Sequence, residues 1–301
     1  MAEAGVHEPR VAELAVDQAG GDLARACSLI RAWAAVLPRL AEVCQGVSEL
    51  RVERRITPAF LEPAGGQYLG ASLDYAQRLL DLSGGGSPVS PDGRATPSEE
   101  APSRFPPARG ALEREDLLAP TTDHARPVDI SREASERTER GALLQLLARA
   151  DTGAMTALAY SAVRGYAALQ DPTLLELRSG LLPVRVPAAG GGEVTIGEIP
   201  ATVAEIVLYR THAGVPDPRF TLGLGATIGR LERRAISAAV LDATTSRAVD
   251  DPPAAKAPCE DAEFLSIVLD AQEAAGFVEH LKLAHHVTFT SELDRVRGAR
   301  G

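Results

Sequence analysis

Three of the chain's six histidines, His280, His285 and His286, fall within the C-terminal stretch EAAGFVEHLKLAHHVTFTSEL. Neutral imidazole is the commonest side-chain ligand of zinc. On an ideal helix His280 and His285 would point about 140° apart, and on one strand they would face opposite sides. Chelation by both therefore requires a break between them, with His280 ending a helix and His285 opening a strand. Two ligands fall short of a zinc shell, so a missing donor would come from another chain. A second candidate is VERRI, with Glu53, Arg54 and Arg55 upstream of Gly65, Gly66 and Gly70. Paired guanidiniums beside a glycine-rich turn can grip a polyphosphate bidentately; a solvated charged face is the competing reading. A third is GLGATIG at 223–229, between a predicted strand and a predicted helix. Its glycines can admit a phosphate to a helix N-terminus. The spacing is neither the dinucleotide fingerprint nor a P-loop, and tight strand-to-helix packing is the favoured reading. No nucleophile elbow, His-Glu-x-x-His helix or kinase-type set occurs.

The elements that would position these residues divide into a helical N-terminal region (1–82), a linker or variable excursion (83–140) and an α+β core (141–301). After Gly20-Gly21, Asp22 can cap a helix with a continuous apolar stripe through Leu23, Cys27, Ile30, Trp33, Leu37, Leu40 and Cys44, interrupted at Pro38. This stripe is read as core. Residues 51–82 mix charge, glycine pairs and aromatics without one clean period, and 74–82 are expected to be a short amphipathic helix. Residues 83–110 are saturated with Gly, Ser and Pro. Such a composition cannot repay its ordering entropy by burial, so a mobile excursion without catalytic residues is expected. Helices follow at 143–150 and from a cap at Asp151 or Thr152. Strands are predicted at 181–186, 193–199 and 220–224, helices at 230–243 and 264–277, and a short strand at 286–289. Helices and strands interleave without a βαβ repeat, which favours α+β over a doubly wound sheet.

The chain has 301 residues and 31 basic against 41 acidic side chains, a formal net charge of −10. That balance argues against nonspecific nucleic-acid binding. The sequence has no apolar run long enough for a membrane span and no signal-peptide pattern at its start, so a cytoplasmic protein is expected. Cys27, Cys44 and Cys259 form neither a disulfide framework nor a metal motif, and inert thiols are expected. Only Lys256 and Lys282 are lysines; arginine is thus a compositional habit here and a weaker sign of phosphate recognition.

Three stretches together, RVERRITPAFLEPAGGQYLGASLDYAQRLLDL, MTALAYSAVRGYAALQ and AAGFVEHLKLAHHVTF, closely resemble the PhnI subunit of the bacterial carbon–phosphorus lyase machinery. The pattern R-x-E-R-R-I, then G-G-Q-x-L-G, D-Y and R-L-L-D is long and specific. The R-S-G segment at 178–180 and the region 219–242 fit as well. PhnI proteins usually begin with a further segment holding a YVAVKGGE-like motif, and this chain starts downstream of it.

The resemblance implies a role in phosphonate catabolism. With PhnG-, PhnH- and PhnL-type partners, such subunits displace adenine from ATP by methylphosphonate, giving α-D-ribose 1-methylphosphonate 5-triphosphate. Alone, the family's subunit resembles a purine nucleosidase. It lies against PhnJ, the radical S-adenosylmethionine subunit, and the family places a zinc between the two, held by histidines that match His280 and His285. His286 falls where the family usually has an aromatic residue and is not counted as a ligand. Displacement at the anomeric carbon passes through an oxocarbenium-like state; protonating the leaving purine typically contributes about 10²–10⁴-fold. Within the strongest motif, Asp74 and Glu53 are the carboxylates assigned to catalysis. Arg54, Arg55 and Arg78 are assigned to the triphosphate, and Gly65, Gly66 and Gln67 to backbone and amide contacts. The alternative is a scaffold subunit that docks its PhnG-, PhnH- and PhnJ-type partners and completes the interface zinc site.

Overall fold

The computed structural model describes residues 1–38, 46–70, 105–120, 129–131, 139–166, 172–188, 190–212, 215–250 and 256–300. The fold is mixed helix and strand, with an N-terminal helical region and a C-terminal core in which helices pack on a sheet. In the N-terminal region Asp22 accepts a hydrogen bond from the Arg25 N–H at 3.0 Å and caps α2 (Leu23–Ala35), which lies against α1 (Pro9–Gln18). Ala15, Ala26, Cys27 and Ile30 close a small core between the two helices. Proline at position 38 follows the end of α2, as its missing N–H requires. Leu23 is 70 % exposed and Trp33 39 % exposed, so the predicted stripe is buried only at its centre; Leu40 and Cys44 lie outside the described residues. Burial pushes the Cys27 and Cys259 thiols up, away from the reactive thiolate.

The core is an antiparallel meander of β1 (Arg51–Ile56), β2 (Thr173–Pro187), β3 (Glu193–His212) and β4 (Val215–Ile228) in that spatial order. The two short strands expected at 181–186 and 193–199 are one end of the long β2–β3 hairpin. The hairpin closes where Ala188 donates to the Gly192 carbonyl at 3.0 Å and Gly191 and Gly192 take positive φ. The strand ending predicted at 224 is also corrected. β4 runs on to Ile228, so Gly223 and Gly225 lie within the strand, and only Gly229, at φ +96°, turns the chain towards a helix.

The reason is steric. α6 (Glu232–Asp250) packs across β3 and β4, and a Cβ on Gly225 would meet the Ala235 carbonyl oxygen at 2.0 Å. On Gly223 it would meet the Ala239 carbonyl oxygen at 2.2 Å. These glycines let an alanine-faced helix sit directly on the sheet, the packing reading of the motif. α4 (Arg140–Ala148), α5 (Thr152–Ser161) and α7 (Ala262–Val268) complete this side, where Leu143, Leu146, Leu147, Met155, Leu177, Ile206, Leu241 and Leu265 form the main core. Asp151 caps α5 by accepting from the Ala154 N–H at 2.7 Å.

The opposite face of the sheet is crossed by residues 105–120, which include the short α3 (Arg109–Arg114). Ala108 packs with Leu175 and Val207, flanked by Leu112, Leu118, Phe220 and Leu222. The end of the Gly/Ser/Pro-rich stretch is therefore packed where it carries Phe105 and Ala108; residues 83–104 lie outside the described residues. The helix expected over 264–277 breaks at Leu269, and Asp270 caps a new one, α8 (Ala271–Glu279). The strand expected at 286–289 is instead the start of α9 (His286–Arg300). Among the described residues no helix is long and apolar enough to cross a membrane.

Gly225→Ala should destabilise the chain by about 1–3 kcal/mol, because helix and sheet must separate to admit the methyl group. A urea denaturation midpoint equal to wild type would show that α6 does not need this close approach.

Candidate functional site

The R-x-E-R-R-I motif is β1, the outer strand of the sheet beside β2. Gly180 admits it closely: a Cβ there would lie 2.0 Å from the Arg51 carbonyl oxygen. An irregularity in the β1–β2 register between Val52 and Arg54 lets two consecutive side chains reach the start of α6. Glu53 accepts from Arg230 at 2.7 Å and 3.1 Å, while Arg54 donates to Glu232 at 2.6 Å and to the Gly70 carbonyl at 3.0 Å. The Arg54–Glu232 pair is buried; Glu53 is partly open to solvent, its side chain 35 % exposed.

Arg55 points the other way and is wholly buried. Its Nε donates to Glu176 Oε1 at 2.6 Å, its Nη1 to the Ala64 and Gly66 carbonyls at 2.8 and 2.7 Å, and its Nη2 to the Pro106 carbonyl at 2.9 Å. The Phe105 ring lies under the guanidinium, 5.1 Å from its carbon. The glycine-rich turn is thus wrapped around an arginine of its own chain. Gly65 has φ +80° and no room for a Cβ, which would meet Pro106 Cδ at 2.8 Å. Gln67 exchanges two hydrogen bonds with the backbone of Thr57, at 2.8 and 3.1 Å, and Tyr68 pairs with Arg55 as a single bridge beside β1. Glu53, Arg54, Arg55, Gly65, Gly66 and Gln67 therefore occupy one region, but the arginines and Gln67 are engaged with protein groups. Asp74 and Arg78 lie outside the described residues.

Sequence reasoning missed the residues that complete this region. Arg178 lies 3.4 Å from Glu176 and 3.7 Å from Glu205, and Arg109 of α3 donates to Glu205 at 2.8 Å. Arg55, Glu176, Arg178, Glu205 and Arg109 thus form a chain of alternating charge beneath residues 105–120. The available signal was the run LELRSG, in which charges interrupt an otherwise apolar strand.

The C-terminal histidines are the second predicted site. His280 lies in a 3₁₀ turn after α8, His285 just before α9, and their rings approach edge-to-face with centroids 4.8 Å apart. The predicted break between them is present, and it leads into a helix. His285 Nδ1 lies 2.7 Å from the Leu283 carbonyl, and Lys282 pairs with Glu279. The surroundings are apolar and exposed, with Phe277, Leu281, Val287 and Phe289 each more than 60 % accessible.

The whole chain, residues 1–301, matches the family described as bacterial phosphonate metabolism protein (PhnI). The chain belongs to the PhnI family. It is similar to the putative C-P lyase subunit protein HtxH of Stutzerimonas stutzeri, 39 % identical over 99 % of this chain and 82 % of that protein. It is also similar to the alpha-D-ribose 1-methylphosphonate 5-triphosphate synthase subunits PhnI of Escherichia coli (strain K12) and Rhizobium meliloti (strain 1021). These are 38 % and 36 % identical and are covered over 84 % and 82 % of their lengths.

One expectation drawn from the family is corrected. Among the described residues no group of three or more His, Cys, Asp or Glu side chains is placed to hold a metal ion, so the zinc site at His280 and His285 is not supported. Two imidazoles on an exposed arm supply only half of a tetrahedral shell.

Two measurements test this description of the PhnI-family chain. Arg55→Ala should cost about 3–5 kcal/mol, since it strands the buried Glu176 carboxylate. Arg51→Ala, at an exposed pair with Glu198, should cost no more than about 1 kcal/mol. Equal unfolding midpoints for the two variants would remove Arg55 from its central place. For the metal, treating the purified chain with a chelator should leave its thermal transition unchanged and release no stoichiometric zinc. One zinc per chain by elemental analysis would reverse the correction.

Proposed function

We propose that this chain is the nucleotide-handling subunit of a carbon–phosphorus lyase system, acting with PhnG-, PhnH- and PhnL-type partners and lying against a PhnJ-type one. The reaction is displacement of adenine from ATP by an alkylphosphonate, methylphosphonate in the simplest case, to give α-D-ribose 1-methylphosphonate 5-triphosphate. The isolated chain would act as a purine nucleosidase, with water in place of the phosphonate. The observation that carries this reading is the match over residues 1–301, with relatives named as subunits of that synthase.

The assignment of residues follows from where the specific motif lies. Glu53, paired with Arg230 and partly open to solvent, is the carboxylate of R-x-E-R-R-I that a ligand can approach. A carboxylate there would stabilise positive charge developing on the ribose. Asp74 is its proposed companion and Arg78 a proposed triphosphate contact. Arg54 and Arg55, whose donors meet protein acceptors, support such a site by holding β1 and the Gly65–Gly66 turn in place. Gln67 does the same through Thr57.

A second reading, a scaffold subunit that docks its partners while the chemistry sits elsewhere, is favoured by a specific observation. The arm formed by α8 and α9 has no buried residue and exposes Phe277, Val278, Leu281, Val287 and Phe289, an apolar surface of the kind that marks protein contacts.

Asp74→Asn in the assembled complex should cut adenine release from ATP by at least about tenfold, a barrier change of about 1.4 kcal/mol. Release is followed by chromatography and the triphosphate product by phosphorus NMR. Wild-type turnover in an intact complex would remove Asp74 from the site. Failure of the wild-type chain to bind ATP, alone or assembled, would favour the scaffold.

A further inference from the structure

Glu53 is the extra residue of the irregularity in β1: Val52 pairs with Gly180 and Arg54 with Ser179, and Glu53 has no partner across the ladder. A bulge of this kind re-aims a side chain, and two glycines hold this one in place. A Cβ on Gly180 would collide with the Arg51 carbonyl and lie 3.0 Å from the Glu53 nitrogen, and one on Gly70 would collide with the Glu53 carbonyl. The side chain so aimed meets Arg230, in the turn that precedes α6. That turn is fixed in its own right. Gly229 takes φ +96° and donates to the Pro200 carbonyl at 2.7 Å. The buried Thr202 hydroxyl donates to the Gly229 carbonyl at 2.7 Å and accepts from the Leu231 N–H at 3.2 Å. Arg230 is therefore pinned through its neighbours on both sides.

The contact between the two side chains is one-sided. Arg230 Nε and Nη2 both donate to Glu53 Oε2, at 3.1 and 2.7 Å, and Glu53 Oε1 has no hydrogen-bond partner among the described residues. As a fastener the pair is weak, because its side chains are 27 % and 35 % exposed and an ion pair so open to water contributes about 0–1 kcal/mol. The buried Arg54–Glu232 pair next to it already ties β1 to α6. What the bulge, the glycines and the Thr202 clamp fix together is the direction of one carboxylate, with one oxygen held and the other open. We propose that Arg230 is the positioning residue of the site: it holds Glu53 by Oε2 and so presents Oε1 to the ribose of the nucleotide. This rests on the reading above that Glu53 works as a carboxylate at the ribose, and it adds the residue that aims it. Arg230 acts through Glu53 and makes no contact of its own with the nucleotide. Positive charge on the ribose is greatest in the transition state, so loss of the aim appears in kcat and leaves KM nearly untouched.

Steady-state adenine release by the assembled complex tests it. Arg230→Gln should lower kcat at least about tenfold while the KM for ATP stays within about twofold of wild type. Arg230→Lys, which keeps the charge and a donor, should be at least about threefold faster than Arg230→Gln. Arg51→Gln removes the neighbouring cation of β1, which pairs with Glu198 at 2.9 Å; it should stay within about twofold of wild type. Adding Arg230→Gln to Glu53→Gln should slow the complex by no more than about twofold beyond Glu53→Gln alone. A raised KM at the wild-type kcat would make Arg230 a ligand contact, and a multiplicative loss in the double variant would make the two residues independent; either overturns the proposal. Equal losses in Arg51→Gln and Arg230→Gln would do the same. A wild-type rate in Glu53→Gln would overturn the reading of Glu53 and the proposal with it, whereas a slow Glu53→Gln beside a wild-type Arg230→Gln would overturn the role of Arg230 alone.

Discussion

The ion pair between Arg55 and Glu176 is the constraint around which the described structure is arranged. Both side chains are dry, at 0 % and 1 % exposure, and neither charge could stay there alone. The guanidinium fork spends its donors on groups from three separate stretches: β2 through Glu176, the glycine turn through the Ala64 and Gly66 carbonyls, and residues 105–120 through Pro106. Each of those stretches must come to the arginine in one geometry, because five donors in a rigid plane allow little variation. The absence of a Cβ at Gly65 and the cation over Phe105 follow from the same arrangement.

The other face of the sheet meets a different demand. There the core is small-residue packing, with α6 pressed onto β3 and β4 over Gly223 and Gly225. Asp242 anchors that contact: buried in α6, it takes a two-pronged interaction from Arg140 at 2.9 and 2.7 Å and the Leu224 N–H at 2.7 Å. The sheet is thus held between an apolar layer keyed by glycines and a polar layer keyed by arginines. Both layers bear on β1, since Glu53 reaches Arg230 just ahead of α6 and Arg54 reaches Glu232 in its first turn, while Arg55 reaches Pro106 on the other face. The most specific stretch of the sequence is therefore also the joint between the two layers, and much of its charge is consumed in making that joint.

Elements governed by local rules were legible in the chain. Asp22 caps the helix assigned to it, and Asp151 is the one used of the two caps offered for the next, because an N-cap needs only a short side chain next to its own backbone. The placing of α6 and the α+β class were recoverable for similar reasons. The strand limits were not. GLGATIG looks like a place for a chain to turn, yet it stays extended to Ile228, because a helix lies against Gly223 and Gly225, and turns only at Gly229. The segment after His285 alternates like a strand over four residues, yet it continues as α9. Short alternation cannot tell the two apart without neighbours.

Within the candidate site the division is sharper. The resemblance of three stretches of the sequence pointed to the PhnI family and to the region where carboxylates, arginines and glycines gather. The sequence also held every charge of the buried network, but not its pairing. Arg55 finds Glu176 and Arg54 finds Glu232 across separations of 121 and 178 residues. Whether an arginine faces a ligand, solvent or a buried carboxylate depends on its local dielectric and on which strand lies beside it. Those are properties of packing between distant segments, so residue types and spacing determined the local elements, the likeness of whole stretches pointed to the family, and tertiary structure alone decided what each charge touches.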